Sequence, residues 1–290
     1  MKTSIPQEEL LRSGHQACQG CASTVAMRYA LKGLGRRTII VVPACCWTVI
    51  SGAAPNSSLD VPLLHAPFAS AAATACGVKA GLQARGDEET TVMVWAGDGS
   101  TYDIGLQSWS GAAERGEDML YVCYDNEAYM NTGVQRSGAT PMGVWTMTTP
   151  DGNRRPKKDL DALLEAHHIS YAATASIAYP EDFVRKFAKA RAIKGFRFIR
   201  VFSPCPPGWK YDPDKTVDLA RLAVLTGVFP LYEIEAGAFR LNLAPAKLKP
   251  LAEYLAPQGR YKGLDPEALA REQGSVTERW QRLLARKAAS

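Results

Sequence analysis

The groups in this chain best suited to chemistry are a few thiols and one acidic turn. Cys18 and Cys21 form a Cys-x-x-Cys turn, Cys45 and Cys46 are adjacent, and Cys205 stands between Pro204 and Pro206. Thiolates so placed hold zinc or an iron–sulfur cluster, and their spacing alone does not separate the two. Gly97-Asp98-Gly99-Ser100 is the acidic turn, with Asn126 and Asn131 downstream. Glycines there let backbone N–H groups approach a phosphate, and a following helix N-terminus favours the anion. The lone Asp98 carboxylate suits a Mg²⁺ ion that also bridges phosphate oxygens.

These residues need a scaffold that gathers strand ends. Thr38–Val42, Thr90–Ala96, Met119–Tyr124 and Phe196–Phe202 read as buried strands. Between them, Ser23–Leu31, Ala69–Ala84, Asp103–Arg115, Leu160–His167, Glu181–Ile193 and Val217–Thr226 read as helices, with Gly116 and Gly227 placed to end two of them. Leu231–Ile234 and Ala238–Leu241 flank Glu235-Ala236-Gly237 as a hairpin. Gly77 and Gly81, four apart in a small-residue helix, suggest close packing on a sheet. The alternation predicts an α/β fold: a mostly parallel sheet with helices on both faces. Ligands of such sheets sit at the carboxyl ends of the strands. Gly97-Asp98 ends one strand and Asp125-Asn126 another, so an Asn side-chain oxygen and a main-chain carbonyl can reach the cation of Asp98.

The 290 residues carry a net charge of +5, too little to argue for nucleic acid. Arg154, Arg155, Lys157 and Lys158 form the densest basic run. It reads as a solvated loop, with a patch for an anionic substrate or an acidic electron carrier as the sharper alternative. The stretch from Met1 to Glu9 lacks the apolar core of a signal peptide. The uncharged stretches Thr38–Leu59 and Val61–Val78 are interrupted by prolines and polar residues, so they read as interior segments, not spans. Seven cysteines, an odd number, argue against a closed disulfide framework, and the cytoplasm is the expected compartment. Residues 1–264 are expected as one domain, and 265–290 as a helical, partner-facing extension.

Within the cysteine set, neighbours on extended backbone point opposite ways, so only one of Cys45 and Cys46 is expected to be a ligand. Cys76 in a helix and Cys123 in a strand read as buried packing residues. His65 follows Pro62-Leu63-Leu64 at an expected strand end facing the same sheet edge. His167 and His168 close a helix.

Two long segments carry a resemblance. Gly97-Asp98-Gly99-Ser100-Thr101-Tyr102-Asp103-Ile104-Gly105 and Tyr124-Asp125-Asn126-Glu127-Ala128-Tyr129-Met130-Asn131-Thr132-Gly133-Val134-Gln135-Arg136-Ser137-Gly138, together with the cysteine set, resemble the β subunit of 2-oxoacid:ferredoxin oxidoreductases. Pyruvate:ferredoxin oxidoreductase is the nearest named member. The resemblance runs from Gly14-His15 to the region of Tyr232. It implies a thiamine diphosphate-binding fold carrying the diphosphate half of the cofactor site. It implies Mg²⁺ on Asp98, Asn126 and the carbonyl of Ala128, and cofactor contacts from Gly97, Gly99, Ser100, Asn131, Thr132 and His65. Asn131 would lie near the reacting carbon. A 4Fe–4S cluster would be bound by Cys18, Cys21, Cys46 and Cys205.

The implied activity is oxidative decarboxylation of a 2-oxoacid, with electrons leaving through the cluster to ferredoxin or another carrier and the acyl group passing to coenzyme A. No carboxylate in this chain is placed to activate the cofactor's aminopyrimidine. In the family a partner subunit supplies it, so the chain alone is expected to be inactive. Two departures bear on the substrate. Trp47-Thr48 follows Cys46 where a Glu often sits second, and Ala66-Pro67-Phe68-Ala69-Ser70 replaces a Phe-Glu segment. A branched, aromatic or dicarboxylic 2-oxoacid enters consideration, with Trp47 expected to narrow or stack in the pocket. The alternative reading is a non-oxidative thiamine-dependent decarboxylase or synthase subunit with a structural zinc site.

Overall fold

A computed structural model describes residues 5–53 and 55–289. Met1 to Ser4, Ala54 and Ser290 lie outside the described residues, and with them parts of the expected N-terminal, uncharged and C-terminal stretches. The elements run α1 (Ala22–Leu34), β1 (Thr38–Pro43), α2 (Cys46–Ile50), β2 (Leu63–Ala66), α3 (Ala71–Ala84), β3 (Thr91–Gly97), a π-helical turn (Gly99–Ile104) and α4 (Leu106–Glu114). They continue with β4 (Met119–Asp125), α5 (Leu160–Ala166), β5 (Tyr171–Ser176), α6 (Pro180–Ala192), β6 (Phe196–Phe202), α7 (Pro206–Trp209) and α8 (Thr216–Leu225). The hairpin β7 (Tyr232–Glu235) and β8 (Ala238–Leu241), α9 (Leu251–Leu255) and α10 (Pro266–Ala289) complete the described chain.

One eight-stranded sheet has the order β2-β1-β3-β4-β6-β5-β7-β8. The pairings from β2 through β5 are parallel, and β7 and β8 add an antiparallel edge. Strand alternation fills both faces. In β4, Leu120, Val122 and Tyr124 enter a core shared with α1, α6 and α8, while Met119, Tyr121 and Cys123 enter one shared with α3, α4 and α5. Both faces of the parallel strands are therefore apolar, as expected of a sheet covered on both sides.

β1, β3, β4 and β6 are consecutive in this order. Their four carboxyl ends form a row and carry Cys45-Cys46, Gly97-Asp98, Asn126–Ala128 and Cys205. α1 approaches the same edge with Cys21 as the residue capping its N-terminus.

The structure corrects several sequence expectations. β5, Tyr-Ala-Ala-Thr-Ala-Ser, was not anticipated, because alanine carries little strand preference; its place between β6 and β7 decides it. The helix expected from Asp103 begins at Gly99 as a wide π turn, a form common at functional sites. The glycines of α3 do not pack closely: nothing lies within 4 Å of a Cβ built on Gly77 or Gly81, and Ala71, Ala72 and Ala75 form the buried face instead. The basic run is not one solvated loop. Lys157 pairs with Asp125 and Glu127, and Lys158 pairs with Asp103, while Arg154 and Arg155 are exposed. Cys123 is buried as expected, whereas Cys76 is half-buried and lies 3.7 Å from the Arg115 guanidinium. α10 lies on the sheet's hairpin edge: Trp280, with Leu283 and Leu284, packs on Tyr232, Phe239 and Leu241.

Candidate active site at the carboxyl edge of the sheet

The turn after β3 is shaped by contact. A Cβ on Gly99 would lie 2.4 Å from the Tyr129 ring, so only glycine lets that ring close over the turn. Tyr129 is fixed in turn by its hydroxyl, which donates to Asp103 at 2.9 Å, and by an edge contact with Phe68. Ser100 donates to the carbonyl of Phe68, and Thr101 donates to the carbonyl of Gly97. The turn is thereby tied to β3 and to the segment after β2.

Asp98 is buried and accepts a hydrogen bond from the Ser137 hydroxyl. One terminal atom of the Asn126 amide lies 2.8 Å from Asp98 Oδ1 and 2.9 Å from the Ala128 carbonyl oxygen. With nitrogen at that position the amide donates two hydrogen bonds. With oxygen there, three oxygens face one another, an arrangement that a cation between them or a proton on Asp98 stabilises. Burial and the neighbouring Asp125 carboxylate push Asp98 well above the usual carboxylate range, against the pull of Ser137. A bound cation would relieve that cost. The donor set of one carboxylate, one amide oxygen and one main-chain carbonyl suits a hard divalent ion.

These oxygens open into a cavity of about 230 Å³. Its wall includes Gly97, Asp98, Gly99, Ser100, Asn126, Ala128, Asn131 and Thr132, all expected from sequence. Ala44, Cys45, Cys46, Thr48, Val49, Phe68, Tyr124, Tyr129 and Met130 also line it. No Lys, Arg or His is among the lining residues. His65 sits on the exposed side of β2 and is not part of the wall. Trp47 does not narrow the pocket: it is fully buried, donates to Ser23 Oγ at 2.7 Å and packs edge-on against Trp95. Trp47 and Ile50, three apart on α2, form its buried face, while Thr48 and Val49 line the cavity.

The cysteines differ in their surroundings. Burial, followed by the proximity of Cys45, Cys205, Cys21 and Asp98, raises the Cys46 thiol. Burial also pushes Cys205 up to about 12, with Cys21 and Cys18 adding to the effect. Cys21 is raised by burial first, while the N–H groups of Thr24 and Ser23 lower it and Cys18 raises it. Cys46 thus lies within electrostatic reach of Cys21 and Cys205, and those two within reach of Cys18. Cys45 lines the same cavity, with its sulfur hydrogen-bonded to Tyr124 and to the N–H groups of Trp47, Thr48 and Gly97. Among the described residues no three His, Cys, Asp or Glu side chains are close enough to share a single metal ion. Cys18 is exposed and the other three are half-buried.

Residues 44–201 match the family described as thiamine pyrophosphate enzyme, C-terminal TPP binding domain. The chain is 49% identical to ketoisovalerate oxidoreductase subunit VorB of Pyrococcus horikoshii, over 97% of this chain and 94% of that one. It is 50% identical to pyruvate synthase subunit PorB of Methanothermobacter marburgensis, over 94% and 96% of the two chains. The chain belongs to the 2-oxoacid:ferredoxin oxidoreductase β subunits. A solved 2-oxoglutarate:ferredoxin oxidoreductase from Magnetococcus marinus is similar in fold, with a TM-score of 0.60 at 23% identity, over 76% of this chain and 81% of that one. As a β subunit of this family, the chain is part of a thiamine diphosphate-dependent oxidoreductase.

The β-subunit site also includes residues that sequence reasoning passed over. Ser137, Tyr129, Phe68 and Glu127 support the turn or its neighbours from loops distant in the chain. Glu127, Tyr129 and Ser137 stand inside the segment that carried the resemblance, and Glu127 is flanked by the two residues expected to face the cation.

Proposed function

We propose that this chain, within a complex of several subunits, takes part in the oxidative decarboxylation of a short aliphatic 2-oxoacid. The carrying observation is that Asp98, Asn126 and Ala128 line one cavity with Cys46, whose thiol lies within electrostatic reach of Cys21 and Cys205. Mg²⁺ held by those oxygens would anchor the diphosphate, with Gly97, Gly99, Ser100 and Thr132 around it. Cys18, Cys21, Cys46 and Cys205 would hold a 4Fe–4S cluster, which takes four thiolates. Thiamine diphosphate supplies the electron sink for loss of CO₂. The protein's part is to fix the tail, exclude water with Phe68, Val49 and Met130, and keep the thiols beside the cofactor.

Asn131, exposed at the mouth, would meet the reacting end once a partner subunit covers it and supplies the aminopyrimidine half. His65 is retained as a residue that such a partner would bring to the cofactor. Electrons would pass to ferredoxin or another carrier, and the acyl group to coenzyme A, which is bound in the Magnetococcus marinus structure. The names of the relatives, ketoisovalerate oxidoreductase and pyruvate synthase, fit a lining without a cation, which offers nothing to a second carboxylate. Thiols that must stay reduced favour the cytoplasm; among the described residues no helix is long and apolar enough to cross a membrane.

The test is a screen of 2-oxoacids with the complete complex, coenzyme A and a redox dye. Turnover of pyruvate or 2-oxoisovalerate, by protein that is brown and carries a 4Fe–4S signal on reduction, is expected. Preference for a dicarboxylic substrate, or colourless protein releasing CO₂ without reducing the dye, would overturn the reading. The second outcome is that of the zinc-bearing decarboxylase.

A further inference from the structure

Between the cation loop and the Cys205 loop runs a chain of buried contacts that no catalytic step requires. Glu127 stands between the two residues whose oxygens face Asp98, and its backbone is left-handed, with φ +67°. A non-glycine residue stays in that region only when its surroundings over-determine it. Here its carboxylate is turned inward, 2.7 Å from Arg260 and 3.2 Å from Lys157, and its carbonyl accepts from Thr140 at 2.7 Å. With Glu127 held inward, Asn126 and Ala128 face the cavity. Arg260 is fully buried and lies flat on the Trp209 ring, 3.5 Å from its centroid. Trp209 joins the two segments: its indole N–H donates to the Asn126 carbonyl at 2.8 Å, and it ends the short helix α7 that Cys205 caps, its main-chain N–H making that helix's first turn bond to the Cys205 carbonyl at 2.8 Å. A buried Arg–Glu pair adds little net stability over an apolar replacement, so its effect here lies in where it holds the loop.

We infer that Trp209, braced by Arg260 and Glu127, is a positioning residue that makes cation binding at Asp98, Asn126 and Ala128 depend on the state of the Cys205 loop. The inference rests on the proposed cation and cluster sites. Trp209→Phe keeps an aromatic ring beneath Arg260 and removes the indole N–H together with part of the buried ring volume.

The experiment uses the complete complex, stripped of thiamine diphosphate and metal, with Mn²⁺ plus thiamine diphosphate as the probe. Mn²⁺ affinity is read by its free EPR signal, on protein with its cluster and on protein from which the cluster has been removed by a chelator and an oxidant. In the wild type, cluster removal should weaken Mn²⁺ binding about 5- to 10-fold, the worth of a buried hydrogen bond. In Trp209→Phe, binding should be weaker by a similar factor with the cluster present, and removing the cluster should change it little further. Such non-additivity marks coupling through Trp209. A Trp209→Phe affinity equal to wild type, or the same fold-loss on cluster removal in both proteins, would overturn the inference and leave the sites standing. A wild-type complex with no cluster signal, or no Mn²⁺ retention, would overturn the sites and the inference together. Should Trp209→Phe fail to assemble, Arg260→Lys, which keeps the charge but not the flat stacking, goes through the same comparison.

Discussion

Cys45 and Cys46 are neighbours in the chain and meet different surroundings: the first is held by Tyr124 and the Gly97 N–H, the second lies among Cys21, Cys205 and Asp98. Cys205→Ser is expected to abolish most of the reduced-cluster EPR signal of the complex, while Cys45→Ser should retain it. Equal loss in both would put the cluster ligands elsewhere. Ser137 is the corresponding test of the cation side. Its hydroxyl orients Asp98 from 39 positions away, and outer partners of metal ligands matter about 10- to 100-fold in affinity. Ser137→Ala should therefore weaken Mg²⁺-dependent retention of thiamine diphosphate by about tenfold or more, measured by cofactor release on gel filtration.

Two glycines show how an element's environment sets what a residue may be. Gly99→Ala puts a methyl group against the Tyr129 ring. It should cost about 1–3 kcal/mol in chemical denaturation, as overpacking does. Gly77→Ala enters open space on the exposed face of α3 and should stabilise by about 0.5–1 kcal/mol, the helix preference of alanine over glycine. The antiparallel edge carries a pH dependence. Burial opposes ionisation of Glu233, but hydrogen bonds from Arg185, Asn242 and Tyr171 outweigh it and hold its carboxyl down at about 2. A lowered carboxylate contributes stability that is complete above its ordinary value of 4.5 and is lost as pH falls toward 2. Glu233→Gln should lower stability by about 2 kcal/mol at pH 7 and flatten the acid limb of the curve between those values. An unchanged acid limb would refute the assignment.

For the whole molecule, the order β1-β3-β4-β6 matters most, because it sets four chemically loaded loops side by side. The C-terminal helix covers the far edge of the same sheet. Trp280→Ala should cost about 3 kcal/mol, the scale of a large aromatic removed from a packed site, with urea unfolding as the measurement. Cofactor affinity should change little, since the Trp280 cluster shares no residue with the cavity wall.

The sequence by itself determined most of the strand and helix alternation and the sheet edge at which its Gly-Asp-Gly, Asn and Cys motifs gather. Strand-end motifs such as Gly97-Asp98-Gly99 and Asn126–Ala128 are local, and local spacing is enough to read them. Only the tertiary structure decided what those motifs touch. It turned Trp47 into the core, drew Lys157 beneath the cation loop and set Ser137 on Asp98. It also formed β5 from a segment with little strand preference and stacked Arg260 on Trp209. Each of these depends on partners far apart in the chain, and neither periodicity nor spacing records such contacts.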